Sequence, residues 1–166
     1  MGTLASLGDT LTRMRGKRVY FDTAPIIYAL ENPPGYAECA IPFLQASGDR
    51  ELIGFTGSAT LAEILVKPLR VGNKDYAEHL KTLFLSGDVF QCAEHSTDVF
   101  ILAASLRASH NYRAIDALQL ATSITLGCHF FVTNDTAFKS TSTTEVVVIN
   151  QFSDDPEINR GLRGHL

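Results

Sequence analysis

At 166 residues, with 45% hydrophobic and 19% charged positions, the chain has the length and composition of one globular domain with a sizeable core. A formal net charge of -4 excludes a protein that coats nucleic acid through its overall field, since that needs Lys and Arg to neutralise phosphates. Any contact with nucleic acid must be local.

Taken along the chain, residues 3 to 14 have the spacing of an amphipathic helix, with Leu4, Leu7, Leu11 and Met14 on one face, inside an N-terminal extension over residues 1–17. The first strand is expected from Arg18 to Thr23. Pro25 suits the first turn of a short helix carrying Ile26, Ile27 and Leu30, and Pro33-Pro34-Gly35 breaks it before a second helix from Tyr36 to Ala46. Further strands are expected from Glu51 to Thr56, Val89 to Ala93, Cys128 to Thr133 and Glu145 to Ile149. They are short apolar runs without clean alternation, as in strands covered on both faces. Helices are expected from Thr60, from Asn73 to Leu85, from Thr97 to Ser109 and from Ile115 to Leu126, with Gly72, Gly87 and Gly127 as stop signals. Alternating strands and helices predict a three-layer α/β/α sandwich around a mainly parallel sheet, in a single domain over residues 1–166. The polar tail over residues 153–166 is expected to be loosely held.

Cys39, Cys92 and Cys128 form no C-x-x-C pair, so neither a disulfide framework nor a zinc site is indicated. No apolar run has signal-peptide or membrane-spanning length. The expected compartment is the cytoplasm, with no membrane partner.

Four acids stand out against this frame. Asp22 closes the first apolar run, where burial of an unpartnered carboxylate is expensive, and Asp135 follows the fourth in FFVTND. Glu63, in SATLAEIL, is expected in the first turn of its helix, and Asp116, in RAIDALQLATSI, at the start of another. In a parallel sheet the carboxyl ends of the strands and the helix starts after them share one edge, where open α/β sheets bind ligands. Asp116 reaches that edge only if its helix runs back against the strands. Each acid alone has a plainer reading: Thr60-x-x-Glu63 matches a capping box, Asp116 suits a helix start, Asp22 could cap the Pro25 helix, and Asn134-Asp135 could be turn residues. The coincidence of four carboxylates from separate elements at one edge argues for more.

Grouped carboxylates repel, and a divalent cation relieves the repulsion. Oxygen ligands without His or Cys suit Mg²⁺ or Mn²⁺, and the chemistry they point to is metal-assisted attack on a phosphodiester.

Asp22-Thr23 after an apolar strand, Glu63 in its T-x-x-E setting, Asp116 in IDALQLATSITLGCHFFVTND and Asp135 in TNDTAF together resemble the acidic signature of PIN-domain nucleases. The resemblance covers roughly residues 18 to 150, and the block from Asp116 to Phe138 is its most specific part. Size and layout are similar to VapC-type toxins of toxin-antitoxin pairs. That resemblance implies an Mg²⁺- or Mn²⁺-dependent endoribonuclease that forms a homodimer and is inhibited by a small antitoxin. It makes Asp22, Glu63, Asp116 and Asp135 the catalytic metal ligands, supported by Thr23, Thr133 and Asn134. The N-terminal extension departs from the family pattern.

Lys67, Arg70 and Arg113, with Arg107 and Lys139, are candidates for a local RNA phosphate track, against a default of solvated surface charge. Asp98, at the start of the Thr97 helix, is a candidate further acid near the site, against a default of a helix-dipole residue. His79, His95, His110, His129 and His165 show no ligand spacing and are assigned no role. A haloacid-dehalogenase phosphatase would want a second Asp two residues after Asp22, where Ala24 stands. The same acids would also suit a PIN-type RNA-processing nuclease without an antitoxin, or a catalytically silent module whose acidic pocket holds a partner's basic side chain.

Overall fold

The computed structural model describes residues 5–163. Helix α1 (Leu7–Met14) is capped by the Ser6 hydroxyl, which accepts the Asp9 amide at 3.0 Å, and buries Leu7 and Met14. Leu4, expected on the same face, lies outside the described residues. β1 (Arg18–Phe21) runs directly into α2 (Thr23–Glu31), because Asp22 leaves the strand to become the helix N-cap. α3 (Ala37–Gly48) leads to β2 (Ile53–Gly57). The helix expected from Thr60 begins two residues earlier, as α4 (Ser58–Ile64), and breaks at Leu65 before α5 (Val66–Arg70). Pro68 has no N–H to donate to the Ile64 carbonyl, so the ladder cannot run through.

α6 (Lys74–Ser86) starts from an Asn73 cap and stops at Gly87, whose φ of 72° a side chain would strain. Then come β3 (Gln91–Ala93), α7 (Thr97–His110), α8 (Ala114–Thr125), β4 (Phe130–Thr133) and β5 (Glu145–Val148). A 3-10 turn at Ile149–Phe152 follows β5, and the tail from residue 153, expected to be loose, instead carries a helix, α9 (Pro156–Arg163). Anchors within the tail explain the difference: Ile158 is buried in the same core as Phe152, and Asp155 Oδ2 accepts the Leu7 amide at 2.8 Å.

The five strands form one sheet in the order β3-β2-β1-β4-β5, and every pairing is parallel. Tyr20 of β1 lies opposite Phe55 on one side and Phe131 on the other. Side chains alternate between two cores. Val19, Phe21, Phe130 and Val132 pack toward α1, α2, α3 and α6, whereas Tyr20, Phe55 and Phe131 pack toward α7 and α8. This is the predicted three-layer α/β/α sandwich. Burial on both faces is why the strands read as unbroken apolar runs; Val19, Tyr20 and Phe21 are all 0% exposed, and burying each such side chain contributes about 1.5–3 kcal/mol. Among the described residues no helix is long and apolar enough to cross a membrane.

Candidate active site

From β1 the chain steps outward to β2 and β3, then crosses to β4 on the other side of β1. That reversal opens a crevice at the carboxyl ends of β1 and β4, the place where such sheets bind ligands. Asp22 follows β1 there and Thr133 ends β4, and the two are bonded: Thr133 Oγ1 donates to Asp22 Oδ2 at 2.7 Å. Asp22, the N-cap residue of α2, accepts through Oδ1 the amide of Thr23, the helix's first residue, at 2.8 Å. The Thr133 hydroxyl in turn accepts the Asp135 amide at 3.1 Å, and Asp135 Oδ1 accepts the Ala137 amide at 2.8 Å in an Asx turn. Asn134 braces this loop, accepting the Asn150 amide at 3.1 Å and donating to the Tyr28 hydroxyl at 3.4 Å.

Glu63 is not in a first turn, and its capping box does not form. Gly57, extended at φ -115°, is the residue that starts α4, which moves Thr60 inside the helix and Glu63 to its second turn. Glu63 instead accepts a bond from the Thr23 hydroxyl, one residue from Asp22. Asp116 sits in the first turn of α8, where Arg113 Nε donates to its Oδ2 at 2.7 Å and Nη2 to its Oδ1 at 3.5 Å.

Asp22 is 9% exposed, and burial pushes its carboxyl up from the ordinary value to about 6. The bonds from Thr133 and Thr23 oppose the shift, and the charges of Asp116 and Glu63 add to it. Asp116, and more weakly Asp135 and Glu63, act together on the exposed Arg113 guanidinium, raising its pKa. The four acids thus share one field at the crevice. Asp98, in the first turn of α7, is not among the groups acting on Asp22.

Among the described residues no three His, Cys, Asp or Glu side chains are clustered tightly enough to hold one ion directly. The donor set nonetheless fits a hard divalent cation. All its donors are oxygens, one carboxylate is buried where ionisation is disfavoured, and Asp116 already holds a cation in Arg113. Mg²⁺ takes one or two carboxylates and keeps several waters, so acids that share a field without closing around a point suit it.

Behind the acids runs a buried polar chain that the sequence did not single out. The Tyr20 hydroxyl donates to Gln119 Oε1, and Gln119 Nε2 donates to Thr60 at 2.7 Å and to Thr23 at 3.3 Å. Thr60 bonds Thr56 at 3.0 Å, and Thr56 donates to the Phe21 carbonyl at 2.9 Å. Gln119, Thr56 and Thr60 are all 0% exposed. The available signal was Gln119 itself, a polar residue between Ala117 and Leu120 on the buried face of α8, one turn after Asp116. His95, which spacing could not mark, accepts the Ala59 amide at 3.0 Å. Of the basic candidates, Lys67 is paired with Glu31 at 3.0 Å, Arg107 donates to the Tyr112 carbonyl at 3.3 Å, and Arg70 and Lys139 are exposed. Arg113 alone of these is tied to the acids.

The family model described as PIN domain matches residues 19–143, from β1 to the loop before β5. The chain belongs to the PIN domain family. That is the nuclease family its acidic motif resembles. No curated protein sequence matches it significantly. In fold, this PIN domain is similar to VapBC2 from Rickettsia felis, solved bound to a promoter DNA fragment, with a TM-score of 0.61 and 18% identity over 78% of this chain and 97% of the other. A toxin-antitoxin complex from Klebsiella pneumoniae gives 0.58 and 21% over 79% and 97%. VapC20 from Mycobacterium tuberculosis, a sarcin-ricin loop cleaving toxin, gives 0.55 and 15% over 68% and 86%.

Proposed function

We propose that this PIN domain is an Mg²⁺- or Mn²⁺-dependent endoribonuclease that hydrolyses RNA phosphodiester bonds in the cytoplasm, as the toxin of a type II toxin-antitoxin pair. The observation that carries the reading is Asp22, a carboxylate buried at the switch point, pushed up to about 6 and facing the charges of Asp116 and Glu63. An enzyme that needed only a helix cap would not place it there.

Asp22, Glu63, Asp116 and Asp135 would hold the metal directly or through water. Bound there, the cation would activate water and stabilise charge developing on the phosphate. The protein's own part is positional. Thr133 orients Asp22 and, through its amide bond, the Asp135 loop; Thr23 orients Glu63. Arg113, exposed and paired with Asp116, would be placed to meet an RNA phosphate beside the cut.

Similarity of fold to toxins solved with their antitoxins supports an antitoxin partner. Such a partner could silence the site by placing an Arg or Lys among the carboxylates, as Arg113 does for Asp116. A homodimer is supported by the apolar groove between α7 and α8, where Phe100 and Ile115 are 56% and 40% exposed.

The test is cleavage of single-stranded or looped RNA with Mg²⁺ or Mn²⁺, with EDTA and Asp116→Asn as controls. Cleavage is expected to need metal and to be lost in the variant. Equal cleavage by wild type and Asp116→Asn at matched purity would place the activity elsewhere.

A further inference from the structure

His95 lies two residues past β3, half-buried, at the same sheet edge as the acids but outside their group. Its Nε2 accepts the Ala59 amide at 3.0 Å, and its Nδ1 is 2.8 Å from Thr122 Oγ1. A backbone N–H can only donate, so Nε2 carries the lone pair and Nδ1 the proton. Nδ1 then donates to Thr122, whose hydroxyl donates in turn to the Leu118 carbonyl at 2.7 Å. The ring is the neutral Nδ1–H tautomer, every partner satisfied.

The elements on either side give this bond its meaning. Ala59 is in the first turn of α4, whose N-cap residue, Gly57, has no side chain to cap it; His95 supplies the missing acceptor from β3's loop. Thr122 belongs to α8. The ring therefore clips α4, which carries Thr60 and Glu63, to α8, which carries Asp116 and Gln119. Gly57 makes room for it: a Cβ there would come within 2.6 Å of His95 Cε1 and 2.5 Å of the Tyr20 hydroxyl. Phe100 closes the outer side, edge-on at 6.4 Å.

We propose that neutral His95 is a positioning residue of the acid site, and that a proton on Nε2 opens the clip and lets metal binding and cleavage fall away on the acid side. The role in cleavage rests on the nuclease reading above. A proton on Nε2 would point at the Ala59 N–H, donor against donor, and the bond could not survive. Burial lowers the pKa of the ring below the ordinary value. Facing the ring are the α4 backbone, Thr122 and the Leu118 carbonyl of α8, the neutral Tyr20 phenol of β1 across Gly57, and Phe100 of α7. Glu94 and Asp98 flank it in sequence, and both are exposed.

Two experiments test this. In metal-free protein, ¹⁵N NMR of the imidazole should show the Nδ1–H tautomer and a titration midpoint below that of an ordinary histidine. An Nε2–H ring, or a midpoint at or above the ordinary one, overturns the clip whatever the activity. The second compares wild type with His95→Ala, which loses both bonds, and His95→Gln, which can still accept the Ala59 amide and cannot be protonated. At about pH 8, kcat should fall about tenfold or more in His95→Ala and recover most of that in His95→Gln. Relative to its own value at pH 8, His95→Gln should keep more cleavage and more Mn²⁺ affinity than wild type near pH 5.5. Titration of Asp22 affects all three proteins alike, so the difference between limbs isolates His95. Parallel acid limbs, or His95→Ala equal to wild type at pH 8, would overturn the proposal. Wild type that cleaves nothing at any pH would sink the nuclease reading and the role in cleavage with it, while the NMR result still decides the clip.

Discussion

Asp22→Asn in metal-free protein isolates what the buried carboxylate does to the fold. The Asp22 carboxyl moves from 3.8 to about 6 on folding, so between those values the folded state binds more protons than the unfolded state. Stability must then fall as pH rises through the window, and above it the whole penalty is present, about 3 kcal/mol at 1.36 kcal/mol per pH unit. Asn removes the charge and keeps an acceptor for the Thr23 amide, since Asn caps a helix as well as Asp. It spoils the bond from Thr133, whose hydroxyl must find another acceptor, at a cost of about 1 kcal/mol. The net gain is about 2 kcal/mol, which at this chain length raises the melting temperature by roughly 4–8 °C. The assay is thermal melting in EDTA at pH 7 and again near pH 4, where the carboxyl is protonated and the advantage should vanish and reverse as the cost of the lost Thr133 bond remains. Mg²⁺ should raise the melting temperature of wild type at pH 7 and leave the variant unmoved. A variant that melts below wild type at pH 7 in EDTA, or a difference that ignores pH, would show that Asp22 is a plain helix cap.

Gln119→Leu takes from the Tyr20 hydroxyl its buried acceptor and from Thr60 and Thr23 a buried donor, so melting should fall by roughly 2–10 °C, with weaker cleavage as Thr23 and Glu63 loosen; an unchanged melt would mean the polar chain repacks freely. Arg113→Ala removes an 83% exposed side chain, so stability should shift by less than about 0.5 kcal/mol. With Asp116 released, calorimetry should find tighter Mn²⁺ binding, while the salt dependence of RNA binding should lose a slope of about 1. Weaker Mn²⁺ binding would refute the competition between Arg113 and metal.

The layers were legible because their signals are local. Unbroken apolar runs marked the strands, and Gly87 and Asn73 marked helix ends through their own backbone and side-chain chemistry. Misplaced boundaries came from contacts made across the fold. Nothing near Gly57 in sequence says that His95, thirty-eight residues on, will supply the acceptor that lets α4 begin at Ser58. Thr60 read as a cap because it is a threonine ahead of a glutamate; its hydroxyl is spent on Thr56 of β2 and Gln119 of α8, both on other elements. The tail read as loose because Ile158 is isolated among polar residues, and only the core that receives it shows its weight.

At the site, the plain and the functional readings of the same residue proved compatible. Asp22 is a helix cap and Asp135 an Asx-turn residue, as their local sequence alone would have it. A cap on a solvated helix, however, accepts amide bonds that favour the charged form, and its pKa stays at or below the ordinary value. Asp22 accepts such a bond and a second from Thr133, and burial still carries it up to about 6. The sequence offered two sources of strain, burial of Asp22 and repulsion among four acids; the structure puts burial first and the charges of Asp116 and Glu63 behind it. That order matters for the metal. Repulsion could be relieved by moving one acid aside, whereas a desolvated carboxylate at the end of a central strand, fixed by Thr133 and by the start of α2, is relieved only by a proton or a cation.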